Sequence, residues 1–253
     1  MTTTLPLTKL PVGGVSPAVL VCGDPARAGR IAEMLQDAAL LSEWREYRAY
    51  RGLHQGLPVT VCSHGIGAPG AAIAFEELIA AGGRCLIRVG TCGGLPPDVG
   101  DGDVVIATAA VQSIGYAREA LPPGYPAVAD LDVSVALRAA AVAGGKRARV
   151  GLVVSRDVFY AGITTPHTPN YHDLSQANVL AVEMECAALF LVGALRRAQT
   201  GAILAVDGNV RGSGESMNTY QPHRPQVSAA VTAAGEIALA ALRLLHPDSK
   251  DPS

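Results

Sequence analysis

Residues 84–95 read R-C-L-I-R-V-G-T-C-G-G-L, and the fold is decided by how this stretch is read. It opens as a short apolar run, the pattern of a strand buried on both faces. It ends in Gly90-Thr91-Cys92-Gly93-Gly94, which reads as a turn able to take positive φ. Arg88 interrupts the apolar run two residues before the first glycine. A guanidinium there must meet negative charge if it is buried. Two readings stay open: a core arginine paired with a carboxylate, or a cation at a strand end waiting for an anionic ligand. The glycine N–H groups and the Thr91 hydroxyl favour an anion-binding nest.

Working outward, the same strand-then-turn pattern recurs. Residues 18–22 (A-V-L-V-C) form a short apolar strand running into Gly23-Asp24-Pro25-Ala26-Arg27 and a helix over 26–35. Asp24 and Pro25 are a plain helix opening, an N-cap followed by proline at the first helical position. Arg27 is not explained that way, because a helix N-terminus disfavours a cation. Strands are expected at 44–51, 59–63, 103–111, 149–154, 179–182 and 201–206, and helices at 68–81, 133–143, 186–196 and 226–245. A turn is expected at His64-Gly65-Ile66-Gly67 and a loop over 161–172. This alternation predicts a single α/β domain over 1–253, with a mixed, mostly parallel central sheet flanked by helices. Residues 1–16 read as an N-terminal arm and 246–253 as a polar tail.

Composition narrows the function. A formal net charge of −2 offers no basic face for nucleic acid or an anionic membrane. No apolar run long enough to span a bilayer and no signal-peptide pattern is legible. The five cysteines are odd in number and form no C-x-x-C pair, which predicts reduced, buried thiols in a cytoplasmic protein. No cluster with metal-ligand spacing is visible, so no metal is expected.

Chemistry-bearing groups gather at predicted strand ends: Arg27, His64, Arg88 with Thr91, Phe159, Glu183-Met184-Glu185 and Asp207. Glu183 and Glu185 share a face if their strand continues. If Glu185 instead opens the following helix, it is a favourable first-turn acid. A carboxylate that accepts two sugar hydroxyls is the functional reading, since it is acceptor-only with several lone pairs.

Six segments together carry a family resemblance. They are G-D-P-A-R (23–27), H-G-I-G (64–67), R-V-G-T-C-G-G (88–94), Y-P-A-V-A-D (125–130), F-Y-A-G (159–162) and V-E-M-E-C-A-A-L-F (182–190). In this order they resemble the hexameric purine nucleoside phosphorylase and uridine phosphorylase family. The resemblance implies phosphate-dependent cleavage of an N-glycosidic bond, with inorganic phosphate as co-substrate and no cofactor. It implies a phosphate site of Gly23, Arg27, Arg88 and Thr91, completed by Arg45 from a neighbouring subunit. Met184 and Glu185 are the implied ribose contacts. Phe159, Gly93, Val182 and Glu183 are the implied base contacts. A homo-oligomer built from dimers, as a hexamer, is implied as well. Arginines suit such work, because they stay charged and grip phosphate oxygens in forked pairs.

Departures from the family pattern direct the substrate reading. Thr4 stands where the arm usually carries a histidine for the ribose 5′-hydroxyl, which opens 5′-modified nucleosides. Ile163 and Thr165 stand where uridine enzymes carry a Gln and an Arg, and His64 resembles the purine branch. Asp207 is the counterpart of the purine-branch general acid, with Gly208 the alternative by a one-residue slip. Its companion arginine is either Arg211 or Arg224. A purine nucleoside is therefore the expected substrate. Uridine phosphorolysis, nucleoside hydrolysis and non-catalytic nucleoside binding are the alternatives.

Overall fold

The computed structural model describes residues 3–160, 162–211 and 220–247. In chain order the elements are β1 (Ala18–Cys22), α1 (Pro25–Ala32), β2 (Gln36–Trp44), β3 (Tyr47–His54), β4 (Leu57–Ser63), α2 (Ala68–Ala80), β5 (Cys85–Gly94) and β6 (Val104–Ser113). They continue as α3 (Gly115–Ala120), β7 (Ala127–Val128), α4 (Leu131–Ala143), β8 (Ala148–Arg156), α5 (Tyr171–Gln176), β9 (Val179–Glu183), α6 (Cys186–Arg196), β10 (Gln199–Asn209) and α7 (Pro225–Leu245).

β5 is the hub. It pairs in parallel with β1 and β10, and antiparallel with the end of β9. β10 also pairs with β6, β6 with β8, and β8 with β9, so five strands close on themselves around β5. β1, β4, β3 and β2 extend from it as an open wing. The expected mixed sheet is present, with parallel and antiparallel pairings in equal number. Helices cover both faces: α2 and α6 bury Phe75, Leu78, Leu189 and Phe190 on one. On the other, α1, α4 and α7 bury Ile31, Leu137, Ile237 and Leu242.

The glycine-rich end of residues 84–95 corrects the sequence reading, for it is strand and not turn. Gly93 and Gly94 pair with Val182 and Ala181 of β9, and Gly90 through Gly94 run beside β10. None of Gly90, Gly93 and Gly94 has positive φ. They are glycines because neighbours come too close for a side chain. A Cβ at Gly93 would lie 2.5 Å from Val210 Cγ1, and one at Gly90 would lie 2.8 Å from the Arg88 guanidinium carbon. Gly94 would run into the Val99 carbonyl. Glycine in a strand often marks such close approach.

Four elements escaped the sequence: β2, an exposed edge strand of nine residues, the two-residue β7, and the helices α3 and α5 of six residues each. α7 also corrects the membrane reading, since by length and composition it could cross a bilayer. Over half of its apolar window is buried inside the fold, however, which is the behaviour of a core helix. The arm is tied down by Glu77 of α2, whose carboxylate accepts from the Thr8 N–H and hydroxyl at 2.7 and 2.6 Å. Of the expected tail, residues 248–253 lie outside the described residues.

Candidate active site

The first group is set by β1 and α1. Asp24 caps α1, accepting from the N–H groups of Ala26 and Arg27. The Arg27 side chain reaches β5, where Nη1 donates to the Val89 carbonyl at 3.3 Å. Among the described residues no carboxylate lies within 4 Å of the Arg27 guanidinium, and its buried Nε has no hydrogen-bond partner. Burial, and then the neighbouring Arg88 charge, lower its pKa. A half-buried cation without a counter-ion fits an anion site.

Arg88 lies beside it on β5 and is 4% exposed. Of the two sequence readings, the arginine paired with a carboxylate is the one seen. Arg88 Nη2 donates to Glu185 Oε2 at 2.6 Å, and its Nε lies 3.5 Å from Glu183 Oε2. Nη1 lies 3.0 Å from His64 Nε2. Burial works against the charge of Arg88, but Glu185 and Glu183 outweigh it and hold the group well above its ordinary range.

The two glutamates divide as neither sequence alternative foresaw. Glu185 is the N-cap residue of α6, yet its side chain makes no cap bond. Its carboxylate accepts from the Gly67 N–H at 2.6 Å and from Arg88. Glu183 caps the helix instead, accepting from the N–H groups of Glu185 and Cys186 at 2.7 and 2.8 Å. Its other oxygen accepts from the Ser155 hydroxyl, whose oxygen accepts in turn from the Ala187 N–H at 2.8 Å. Glu183 was expected to contact a base; its buried carboxylate is instead committed beneath α6. With α6 capped by Glu183, the Glu185 carboxylate is left to pair with Arg88 and the Gly67 N–H. Burial raises its pKa, against the pull of Arg88.

Asp207 sits at an irregularity of its strand. Along β10, Val206 pairs with Cys92 and Gly208 with Gly93, which leaves Asp207 as the extra residue of a β-bulge. A bulge re-aims a side chain and often sits beside an active site. Tyr220 donates to Asp207 Oδ2 at 2.8 Å, and Thr91 is also near enough to favour the charged carboxylate. Burial pushes the Asp207 pKa up to about 6, despite both neighbours. Of the two companion arginines, Arg224 donates to the Asp207 carbonyl at 2.8 Å, whereas Arg211 Nη1 donates to Ser175 Oγ.

The remaining residues frame this core. Phe159 is 58% exposed, with its ring 5.9 Å from that of Tyr220. Val182 and Gly93 pair across β9 and β5. Gly23 packs under the His64–Gly65 turn, where a Cβ would lie 3.2 Å from the Gly65 carbonyl. Met184 is half-buried between the two glutamates. Two expected residues stand apart from these contacts. Arg45 is exposed at the β2–β3 hairpin tip with φ +57°. Thr4 bridges Pro11 within the arm. Tyr220 and Ser155 were missed, for neither lies in a recognisable motif and both act through another side chain.

Residues 17–243 match the model of the phosphorylase superfamily. The chain is 43% identical to the uridine phosphorylase of Treponema pallidum (strain Nichols) over 213 residues, covering 81% of this chain and 82% of that one. It is 39% identical to the guanosine phosphorylase of Halorubrum lacusprofundi, covering 78% and 80%. Among solved structures, the purine nucleoside phosphorylase of Toxoplasma gondii in complex with immucillin-H superposes with TM-score 0.90 at 34% identity, covering 96% of this chain and 97% of that one. A family match over nearly the whole chain, and relatives this similar at this coverage, make the protein an enzyme that belongs to the phosphorylase superfamily.

Proposed function

We propose that the protein is a nucleoside phosphorylase with a preference for purine nucleosides. It cleaves the N-glycosidic bond with inorganic phosphate and releases free base and ribose 1-phosphate. Arg27 and Arg88, with the Gly23 backbone and the Thr91 hydroxyl, hold the phosphate below the anomeric carbon. Such placement is catalysis chiefly by positioning. The bound anion also stabilises positive charge developing on the sugar. Glu185 accepts the ribose hydroxyls with Met184 beside it, and Phe159, Val182 and the Gly93 backbone receive the base. A phosphate oxygen bonds to the anomeric carbon as the carbon–nitrogen bond breaks, and Asp207 gives its proton to the departing purine.

The observation that carries the purine reading is the Asp207 carboxyl in the β10 bulge. Its pKa, raised by burial to about 6, suits a general acid near neutral pH. The loop over 162–169 supports the same choice, because Ile163 is 87% exposed and offers no partner to a pyrimidine edge. The relatives named for uridine keep uridine as the second reading. Arg45, exposed at the hairpin tip, is suited to completing the phosphate site of a neighbour in a dimer-based homo-oligomer, and Thr4 to approaching a 5′-substituent. Five buried free thiols suit a reducing, cytoplasmic compartment. The reaction as written needs no cofactor.

One assay tests this. Inosine, guanosine, adenosine, uridine and methylthioadenosine are each incubated with and without phosphate, and free base is followed. The proposal expects phosphate-dependent release, fastest from a purine nucleoside. Fastest release from uridine would overturn the purine preference, and equal release without phosphate would indicate hydrolysis.

A further inference from the structure

The H-G-I-G turn has no assigned part in the reaction described so far. His64 closes β4 and is wholly buried, with its ring edge-on to Phe75 at 5.3 Å. Its Nδ1 lies 2.9 Å from the Gly65 carbonyl. A carbonyl only accepts, so Nδ1 carries the hydrogen and Nε2 presents a lone pair. That lone pair faces Arg88 Nη1 at 3.0 Å. Three residues on, the Gly67 N–H donates to Glu185 Oε1 at 2.6 Å. Gly65 and Gly67 have φ of +74° and +93°, and a Cβ at Gly65 would lie 2.8 Å from Glu46 Cγ. One tight turn thus grips both members of the Arg88–Glu185 pair.

Resting on the phosphate site proposed above, we infer that His64 is a positioning residue for phosphate binding, its neutral Nε2 fixing the Arg88 guanidinium in the rotamer that meets the anion. An arginine carries two hydrogens on each Nη. His64 takes one from Nη1 and Glu185 one from Nη2, which leaves the second hydrogen of each for an anion. Gly90 makes this fold of the side chain possible, since a Cβ there would strike the guanidinium. The charged groups facing His64 are Arg88 from β5 and Arg27 from α1. Two cations and full burial keep the imidazole uncharged, as an acceptor must be.

The test compares His64→Leu with His64→Gln, whose amide oxygen can accept near the place of Nε2, and with Arg88→Lys. His64→Leu is expected to raise the phosphate KM about tenfold or more, as for a lost hydrogen bond to a charged group, and the nucleoside KM by less than about threefold. His64→Gln is expected to restore most of the phosphate KM. A phosphate KM unchanged in His64→Leu, or raised equally in both His64 variants, overturns the inference. If Arg88→Lys raises the phosphate KM while His64→Leu does not, the inference about His64 fails and the phosphate site stands. If Arg88→Lys leaves it unchanged, both fall. Nitrogen NMR of the unmutated protein decides independently of variant folding: the Nδ1–H tautomer is expected across pH 5–8, and the Nε2–H tautomer or an imidazolium would refute it.

Discussion

Arg88 Nη2 and Glu185 Oε2 lie 2.6 Å apart, and both side chains are almost wholly buried. The proposed phosphate cation and the proposed ribose acceptor therefore satisfy one another. Glu185→Gln keeps the shape and removes the charge. The nucleoside KM should rise about tenfold or more, because hydrogen bonds to a charged acceptor are the strong ones. The phosphate KM should stay level or fall, since an anion approaching Arg88 no longer meets a carboxylate. Melting without phosphate should occur at a lower temperature, and added phosphate should stabilise the variant more than the parent.

Asp207 gives a stability prediction with a definite sign. Its folded pKa of about 6 lies above the ordinary 3.8, so the folded protein holds this proton more tightly than the unfolded chain. That contribution is full below the unfolded value and is lost as pH rises through about 6. Asp207→Asn removes the penalty of a buried charge. Urea unfolding at pH 7.5 should find the variant more stable by as much as ~3 kcal/mol, and the difference should vanish below about pH 4. Purine turnover should meanwhile fall about a hundredfold or more, the usual worth of a placed proton donor.

Tyr220 bonds the charged form of Asp207, which lowers the pKa that burial raises. Tyr220→Phe should therefore push that pKa further up. In a pH profile of kcat/KM for a purine nucleoside, activity falls as Asp207 loses its proton. That alkaline limb should move to higher pH in the variant; an unmoved limb would assign it to another group.

Gly94 separates packing from ligand binding. Any Cβ at this position meets the Val99 backbone, which cannot swing aside as a side chain can. Gly94→Ala should cost about 1–3 kcal/mol in chemical denaturation, the range for overpacking. The phosphate KM of the folded fraction should be unchanged, because the glycines at the end of β5 admit neighbouring strands rather than form a nest.

Much of this was legible in the chain. Buried strands such as β1 and the apolar start of β5 announce themselves as short apolar runs, and Asp24-Pro25 announces α1. Arg27 stood out because a helix N-terminus disfavours a cation, and Arg88 because a charge inside an apolar run must meet its opposite. What failed has physical causes. Glycine signals both positive φ and close approach, so the end of β5 read as a turn. β2 lies at an open edge with a largely exposed face, and such a strand leaves little apolar imprint. For Glu183 and Glu185 the pattern gave position without direction, because the cap of α6 comes from two residues upstream of its N-cap residue. Asp207 could not be assigned a face, since a bulge adds a residue that alternation does not reveal. Tyr220 reaches Asp207 from thirteen residues away by a route no local pattern encodes.

The central claim is that Arg27 and Arg88 jointly hold one phosphate. Both guanidiniums already converge on β5, Arg27 through the Val89 carbonyl and Arg88 over Gly90. A crystal structure of the protein with phosphate tests this most directly. The account predicts one tetrahedral anion bonded to both arginines, the Gly23 N–H and the Thr91 hydroxyl. An anion bound elsewhere, or one that leaves Arg88 paired only with Glu185 and Arg27 without contact, would contradict it.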